Sequence, residues 1–313
     1  MIGDGEILWS ERYRPKTIAD CILPQKTKIA LQSYVDKKEV PNILMKGSSG
    51  AGKTSAARAL CEQTGTDYVL INGSVENGID ILRTKIQSFG SAVSFNGGRK
   101  VIIVDEADNL TNATQMGLRG VIEDLSLNCT FIFTCNYPNR IIEGIHSRCA
   151  TIDFKIDSKE KSLMAISFLK RVIQILDHEK IKYDQEVLTL IIKKFFPDYR
   201  KILNELQKYS THGTVDTGIL EQISDANIDE LVGYLKNKNF TSMRKWVALN
   251  SGEDPLAIMR HLYDKMGNLF INSSMPTLIE LTAQYMFQAG FCMDQEINLA
   301  AYLTVVMREC EMK

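Results

Sequence analysis

A glycine-rich octapeptide, Gly47–Thr54, constrains the fold of this chain more than any other feature. Its residues GSSGAGKT match the pattern GxxxxGK[ST] in full, after the apolar run Ile43–Lys46 and before a helical pattern over Thr54–Gln63. In this strand–loop–helix context, glycines let backbone N–H groups curl around phosphate oxygens, and the helix start adds its positive dipole end. The octapeptide therefore predicts an α/β domain with a phosphate-binding loop. The alternative is a glycine-rich turn that only caps a helix.

The chemistry of such a loop assigns roles to its residues. Lys53 is expected to reach the β- and γ-phosphates of a nucleotide, and the hydroxyl of Thr54 is expected to bind Mg²⁺. The expected cofactors are therefore ATP and Mg²⁺. The residues expected to surround the nucleotide at this loop are Gly50, Ala51, Gly52, Lys53, Thr54 and Ser55.

Short apolar runs alternate with helical patterns through the first half of the chain. This alternation predicts a parallel sheet that is covered by helices on both faces. After Phe154 the apolar spacing is helical throughout, so no further strand is expected. The predicted strands are Ile43–Lys46, Tyr68–Ile71, Val101–Val104, Thr130–Thr134 and Thr151–Phe154, and the predicted helices between them are Thr54–Gln63, Ile79–Phe89 and Thr114–Leu125.

The chain is too long for one domain of roughly 150 residues. Its 313 residues divide into an α/β domain over 1–154, a small helical domain over 155–224 and a second helical domain over 225–313. The helices predicted in the second half are Ser158–Glu179, Asp184–Phe196, Tyr199–Tyr209, Ile228–Lys236, Phe240–Ala248, Pro255–Leu269, Thr277–Gln288 and Gln295–Glu309.

Polar residues follow two of the apolar strands. Asp105 and Glu106 come directly after Val101–Val104, at the end of the strand where open α/β sheets bind ligands. Asp105 is expected to hold Mg²⁺ through water, and Glu106 to be the base that orients the attacking water, because neighbouring strand residues face opposite sides. Asn136, after Thr130–Thr134, is a candidate to contact the γ-phosphate or that water; the alternative is an asparagine that only begins a turn.

Composition excludes several other classes of protein. The 37 basic and 38 acidic residues give a formal net charge of −1, which excludes a broadly basic surface for nucleic acid. The seven cysteines form no CxxC pair and the segment Met1–Trp9 carries no basic residue, so reduced thiols and no signal peptide are expected. The four histidines show no metal spacing, and no apolar run reaches the roughly 20 residues of a membrane span. A cytoplasmic location, in the host if the protein is viral, is expected.

Four further segments carry a resemblance to a known family. They are Glu11–Pro15 (ERYRP), Asp105–Asp108 (DEAD), Ser147–Cys149 (SRC) and Phe196–Lys201 (FPDYRK). Together with the phosphate-binding loop, they resemble the sliding-clamp loader subunits of the AAA+ ATPases, which include replication factor C small subunits. The last segment is especially similar to the large subunits of myovirus clamp loaders. The resemblance covers essentially the whole chain, strongly through residue 210 and weakly beyond it.

The resemblance implies a fold, a function and a set of site residues. The fold would be a P-loop AAA+ domain followed by a helical lid and an all-α collar for oligomerisation. The function would be a DNA-stimulated ATPase that opens a sliding clamp and loads it on primer–template DNA in viral replication. Arg148 would act in trans as an arginine finger on ATP held by a neighbouring subunit, and Arg200 would be a second sensor of the γ-phosphate. The residues implied to line the adenine side are Ser10, Glu11, Arg12, Tyr13 and Ile22.

Partners follow from the same resemblance. The chain is expected in a ring with further copies of itself and one distinct small subunit, at a ratio of about four to one. Because helix starts bind phosphates without excess charge, those lining the ring are candidates for DNA contact. The DNA candidates are Arg83, Lys85, Thr111 and Asn112, and the candidates for clamp contact are Val93 and Phe95, whereas Phe89 is expected in the core.

Three positions bear on coupling between DNA and the ATP site. Relatives often carry a basic switch residue before a Gly-Ile-Asp segment, and here that position is Asn77. Gln115 and Arg119 match positions that link the two sites in relatives, with a solvated helix face as the alternative interpretation.

Two other functions remain open at this point. The chain could be a non-catalytic ATP-binding scaffold of a loader, or another AAA+ ATPase of replication or recombination, such as a helicase loader or a Holliday-junction motor. Degenerate scaffold subunits typically lack one of the key residues. This chain keeps all five of the key residues, which disfavours the scaffold interpretation. They are Lys53, Asp105, Glu106, Arg148 and Arg200.

Overall fold

The computed structural model of the chain describes residues 8–76, 78–92, 98–210, 213–215, 228–250 and 254–313. The chain divides into two compact units, residues 1–220 and residues 221–313. Across the described residues, no helix is both long and apolar enough to cross a membrane. All seven cysteines are described and all are free thiols.

The first unit is built on a five-stranded sheet whose strands are all parallel. The strand order is β2-β3-β4-β1-β5, so β1 lies between β4 and β5. The predicted parallel sheet is confirmed, and each strand agrees with its predicted span to within one residue at either end. The strands are β1 (Ile43–Lys46), β2 (Tyr68–Asn72), β3 (Lys100–Asp105), β4 (Cys129–Cys135) and β5 (Ala150–Asp153).

Alternation along the strands assigns each side chain to one of two cores. On β3, Val101 and Ile103 pack into one apolar cluster, while Ile102 and Val104 pack into the other. Successive strand side chains point to opposite faces, and both faces are covered, so the strands are continuously apolar. Helices α2 and α3 cover the first face, and α4 and α5 cover the second.

The helices around this sheet largely match their predicted spans, and three were not predicted. The unpredicted α2 begins after Pro24 and buries only Thr27 and Leu31 fully, so its apolar stripe is too sparse to show as a period. The very short α1 and α6 give no period at all. The helices are α1 (Trp9–Arg12), α2 (Gln25–Lys37), α3 (Lys53–Thr64), α4 (Ile79–Ser91), α5 (Asn112–Asp124) and α6 (Glu143–His146).

In the rest of the first unit, the residues that the structure describes form three helices and a small sheet. The expectation that strands end at Phe154 is wrong, because β6 (Lys182–Tyr183) pairs in parallel with β7 (Thr214–Val215). Strands of two residues are too short for any apolar alternation to reveal. The helices are α7 (Ser158–His178), α8 (Gln185–Phe195) and α9 (Tyr199–Ser210).

The second unit is helical across its described residues. Its core includes Trp246, Met259, Phe270 and Tyr302, all buried. The predicted helix Pro255–Leu269 is divided at Lys265, where φ is −96° and ψ is 8°. The helices are α10 (Ile228–Lys236), α11 (Phe240–Leu249), α12 (Pro255–Asp264), α13 (Met266–Leu269), α14 (Met275–Ala289) and α15 (Gln295–Glu309).

Candidate nucleotide site

The glycine-rich loop joins β1 to α3, as its sequence context predicts. Gly50 and Gly52 adopt φ of +72° and +89°, a left-handed conformation that residues with a Cβ rarely take. Lys53 is the first residue of α3, so the loop ends at the helix N-terminus. The backbone geometry is therefore that of a phosphate cradle, in which N–H groups and the helix dipole favour an anion.

Lys53 is buried at the centre of this loop, with 7% of its surface exposed. Its Nζ donates to the carbonyl oxygens of Gly47 and Ser48 and to Oδ1 of Asn136, each at 2.8 Å. These three bonds use all three N–H groups of the ammonium. Burial lowers the pKa of Lys53, an effect that Asp105 and Asp108 nearby oppose. A phosphate held by the loop would compensate that burial with negative charge.

Asp105 closes β3 opposite the start of α3. Its Oδ1 accepts hydrogen bonds from the hydroxyls of Thr54, at 2.6 Å, and Thr134, at 2.5 Å. A carboxylate oxygen and a hydroxyl oxygen, both ligand types that Mg²⁺ accepts, are thus already side by side at the mouth of the loop. These residues therefore fit a site for a divalent cation bound with a nucleotide.

Glu106 does not follow the strand alternation expected of neighbouring acids. The strand ends at Asp105, and Glu106 turns into the left-handed region, with φ 53° and ψ 44°. Its backbone N–H donates to Oγ1 of Thr134 at 3.0 Å, and its carboxylate accepts from Ser74 Oγ and, at 3.4 Å, from Asn109 Nδ2. Asp105 and Glu106 therefore point in different directions because the backbone turns at Glu106, and not because they alternate along a strand.

Ser74 and Asn109 are functional candidates that sequence reasoning missed. Asn109 Nδ2 also donates to Ser74 Oγ at 2.7 Å, so the two side chains form one polar clasp on the carboxylate of Glu106. A Cβ on Gly73 would lie 2.7 Å from the carbonyl oxygen of Glu106, so the absence of a side chain there permits this close approach. No local pattern links residues 32 positions apart, so only the tertiary structure reveals the clasp.

Asp108 joins the ends of β3 and β4. Its Oδ2 accepts the backbone N–H groups of Asn136 and Tyr137, both at 3.0 Å. Asn136 is thereby held with its amide oxygen on Lys53, beside the pocket that Glu106 also lines. The structure thus places Asn136 beside the polar groups of the loop, where a residue that contacts the γ-phosphate or the attacking water has to lie.

The start of α9 lies directly against the phosphate-binding loop. A Cβ on Gly50 would meet Oδ1 of Asp198 at 2.0 Å, and the N–H of Tyr199 donates to the carbonyl of Gly50 at 3.3 Å. The Tyr199 hydroxyl donates to the carbonyl of Ile22 at 3.0 Å. Asp198 and Tyr199 of the FPDYRK segment therefore hold the start of α9 against the loop, and this places Arg200 in the lining of the pocket.

One open pocket connects these elements. Of the residues expected on the adenine side, Ser10, Tyr13 and Ile22 line it. Glu11 and Arg12 lie outside it: Glu11 pairs with Arg14, and Arg12 pairs with Glu179 at 2.9 Å. The pocket is also lined by residues that were not predicted, including Arg171 of α7, Cys21 and Phe168. The polar groups at the loop and the apolar side chains of Phe168 and Ile175 on α7 fit the two ends of a nucleotide.

Arg148 lies outside the pocket of its own chain, just after the C-terminal end of α6.

Gln115 is fully buried, which makes the solvated-face interpretation wrong for this residue. Its side chain donates to the carbonyls of Leu110 and Arg140 and accepts from the N–H of Ile142 at 2.9 Å. Arg119 is exposed.

The candidates for DNA and clamp contact have mixed placements. Arg83 is exposed on the first turns of α4, whereas Lys85 is paired with Glu76 at 2.8 Å. Thr111 caps α5, with Oγ1 accepting from the N–H of Thr114 at 3.2 Å, and Asn112 is the first residue of that helix. The packing expected of Phe89 is confirmed, since it lies against the second apolar cluster. Asn77, Val93 and Phe95 lie outside the described residues.

Two family models match the chain. Residues 43–157 match the ATPase family associated with various cellular activities (AAA), and residues 160–221 match the sliding-clamp-loader large subunit, AAA+ ATPase lid domain. A solved structure of the Thermotoga maritima RuvB Holliday junction branch migration motor is 18% identical, with a TM-score of 0.52 over 71% of this chain and 78% of that one. At that identity, the likeness extends to the fold alone.

Curated relatives cover nearly the whole chain. The sliding-clamp-loader large subunit of Enterobacteria phage T4 is 34% identical over 100% of this chain and 98% of its own length. That of Escherichia phage RB69 is 34% identical over 78% of both chains, and the replication factor C small subunit of Archaeoglobus fulgidus is 33% identical over 95% and 96%. The resemblance deduced from the four segments is confirmed, and the chain belongs to the clamp-loader family of AAA+ proteins, as an ATP-hydrolysing subunit that acts in DNA replication.

Proposed function

We propose that this chain hydrolyses ATP in the pocket between its phosphate-binding loop and α9, as one of several copies in a ring that loads a sliding clamp on primer–template DNA. The observation that carries the proposal is a pair of hydrogen bonds at the loop: Lys53 Nζ donates to Oδ1 of Asn136 at 2.8 Å, and the hydroxyl of Thr54 donates to Oδ1 of Asp105 at 2.6 Å. The names of the phage relatives, sliding-clamp-loader large subunits, support the clamp as partner.

The residues of the loop bind and orient the triphosphate. Backbone N–H groups over Gly50–Thr54 and the ammonium of Lys53 surround its β- and γ-phosphates, and Asn136, held on Lys53, faces the γ-phosphate. Thr54 and Asp105 would hold Mg²⁺, which neutralises charge that develops on the phosphate oxygens. The backbone N–H groups of the loop are in place before ATP arrives, and Lys53 has only to exchange hydrogen bonds to Gly47, Ser48 or Asn136 for bonds to phosphate, so little reorganisation is required.

Glu106 is the group that orients the attacking water. In the structure its carboxylate is held by the Ser74–Asn109 clasp, so orienting a water requires it to exchange those bonds. Hydrogen bonds to a charged group contribute about 1.5–3 kcal/mol, so the clasp can hold the subunit in a slow state that partners relieve.

The remaining proposed roles concern the assembled ring. Arg148 reaches the ATP of a neighbouring subunit, which its position outside its own pocket supports. Arg200 contacts the γ-phosphate within the same chain. We further propose about four copies of this chain with one distinct small subunit. Exposed Arg83 and the start of α5 at Thr111 and Asn112 would face the DNA.

The experiment that tests the proposal combines an ATPase assay with native mass measurement. The loader is purified with its small subunit and assayed alone, with the clamp, and with the clamp and primed DNA. We expect slow hydrolysis by the loader alone, strong stimulation with both partners, and a native mass that accounts for several copies of the 35.3 kDa chain together with the small subunit. A monomer whose hydrolysis ignores clamp and DNA would refute the proposal.

Removing the clasp should release Glu106. We expect Ser74→Ala to raise basal ATP hydrolysis about 10- to 100-fold, because the hydrogen bond to a carboxylate that it removes contributes about 1.5–3 kcal/mol. The stimulation by clamp and DNA should shrink in proportion, since the starting rate is already higher. Steady-state ATPase assays measure both; Ser91→Ala, an exposed serine on α4, is the matched control. An unchanged basal rate would show that the clasp does not restrain Glu106.

Exposed Arg83 offers a test of the DNA-facing helix starts. We expect Arg83→Ala to weaken binding to primed DNA at all sequences and to reduce the slope of log affinity against log salt by about 1 for each copy in contact. Fluorescence anisotropy at several salt concentrations measures this. Lys26→Ala, which removes an exposed cation from α2, should leave the slope unchanged. Equal slopes for both variants would remove Arg83 from the DNA surface.

A further inference from the structure

The guanidinium of Arg148 is held by its own chain through several hydrogen bonds. Its Nε donates to Oε1 of Glu123 at 3.0 Å, and its Nη2 donates to the same oxygen. Its Nη1 donates to the carbonyl of Gly144 at 2.8 Å and lies 3.3 Å from Oγ of Ser147. Glu123 is on α5 and Arg148 follows α6, so this contact joins two elements that are 25 residues apart.

The arrangement leaves part of the guanidinium available. An arginine carries five N–H donors in a rigid planar fork, and the bonds above use one on Nε, two on Nη1 and one on Nη2. The second N–H of Nη2 remains. Glu123 therefore engages the Nε edge of the fork, and a donor on the terminal nitrogen stays free for an acceptor outside the chain.

Other contacts hold the same two elements together. Near the start of α5, buried Gln115 bonds to the carbonyl of Arg140 and the N–H of Ile142, which lead into α6. Glu123 lies two turns further along α5, and hydrogen bonding from Arg148, with a smaller contribution from Arg119, lowers the pKa of Glu123. Glu123 is therefore a charged acceptor on a helix that is fixed against the segment bearing Arg148.

We infer that Glu123 is a positioning residue for Arg148, orienting its guanidinium toward ATP bound by the neighbouring subunit. The inference rests on the trans role of Arg148 proposed above. An exposed arginine samples many rotamers, and fixing it beforehand removes that entropic cost from the catalytic step. Glu123 touches neither nucleotide nor water in this account; it acts through Arg148 alone.

Rings mixed from two inactive chains test the inference. One chain carries Lys53→Ala and still offers Arg148; the other carries Arg148→Ala and keeps its nucleotide site. With clamp, primed DNA and the small subunit, hydrolysis then occurs only where the first chain meets the second. Adding Glu123→Ala to the first chain should lower kcat about tenfold, with KM for ATP changed less than about twofold, because misplacing a catalytic group by about 1 Å costs up to about 10²-fold.

Two controls separate positioning from loss of structure. The same Glu123→Ala placed in the second chain, which no longer has Arg148, should not change kcat. Asp124→Ala in the first chain removes an adjacent exposed carboxylate of α5 and should also have no effect. Glu123→Gln in the first chain keeps an oxygen acceptor for Nε and should recover part of the rate.

The outcomes distinguish this inference from the proposed function. If Glu123→Ala in the first chain leaves kcat at the level of the Asp124→Ala control, or raises it, the positioning role is overturned. An equal loss of kcat from either chain would also overturn it, since a general structural defect has no such direction. If the two inactive chains never complement each other while the unaltered ring is active, the trans role of Arg148 itself fails.

Discussion

Replacing Arg148 by alanine is expected to slow ATP hydrolysis by the assembled loader about 10³- to 10⁵-fold, the range that an arginine finger contributes. Arg148 lies outside the pocket of its own chain, so this loss cannot arise from binding of ATP in cis. The physical cause is electrostatic: the guanidinium stabilises charge on the phosphate oxygens as the terminal bond breaks. Single-turnover hydrolysis with clamp and primed DNA measures the effect.

Nucleotide binding provides the matching control for Arg148→Ala. The affinity for ATP should stay close to that of the unaltered chain, because the substitution leaves the Lys53–Asn136 and Thr54–Asp105 hydrogen bonds in place. Lys155→Ala, which removes an exposed cation shortly after β5, should leave the rate unchanged. A full rate for Arg148→Ala in the ring would contradict the trans role.

Replacing Glu106 by glutamine is expected to lower kcat about 10²- to 10⁴-fold, the range of general acid–base catalysis. Glutamine keeps the size of the side chain and can still bond to Ser74 and Asn109, so the turn at φ 53° and the fold should persist. It cannot accept a proton from water at neutral pH. Rapid-quench measurement of phosphate release gives the rate, and equilibrium binding of ATP gives the retained affinity.

The same variant decides between a catalytic subunit and a scaffold. A scaffold that only binds ATP would show the same low turnover with glutamate or glutamine at position 106. A Glu106→Gln loader should instead bind ATP, clamp and DNA together and remain on the DNA, because release requires hydrolysis. Unchanged turnover would favour the scaffold for this chain.

The sheet was predictable because its signals are local. Val101–Val104 is continuously apolar, and the structure buries each of its residues on one face or the other. The backbone conformation of the loop Gly47–Thr54 is predictable from its own residues, since Gly50 and Gly52 take conformations that few other residues adopt. Lys53 follows from the loop pattern and Asn136 from the end of β4, and because β1 and β4 are adjacent parallel strands, these two residues 83 positions apart meet at one edge of the sheet.

The missed elements have weak or distant signals. Helix α2 is mostly polar, and β6 and β7 are two residues each, so neither produces a hydrophobic period. Ser74 is an ordinary loop serine until β2 and β3 pair and bring it to Glu106. Asp105 and Glu106 were expected to face opposite sides of one strand, and this expectation is wrong, because the strand ends at Asp105, one residue before Glu106.

By itself, the sequence determined the class of fold, the phosphate-binding loop and the family, because glycine conformations, apolar alternation and short motifs are properties of neighbouring residues. The tertiary structure alone decided how those residues are controlled. It placed Ser74 and Asn109 on Glu106, Asp198 against Gly50, and Glu123 on Arg148. Each of these contacts joins segments that are separated in the chain, and only the packing of strands and helices sets the distances between them.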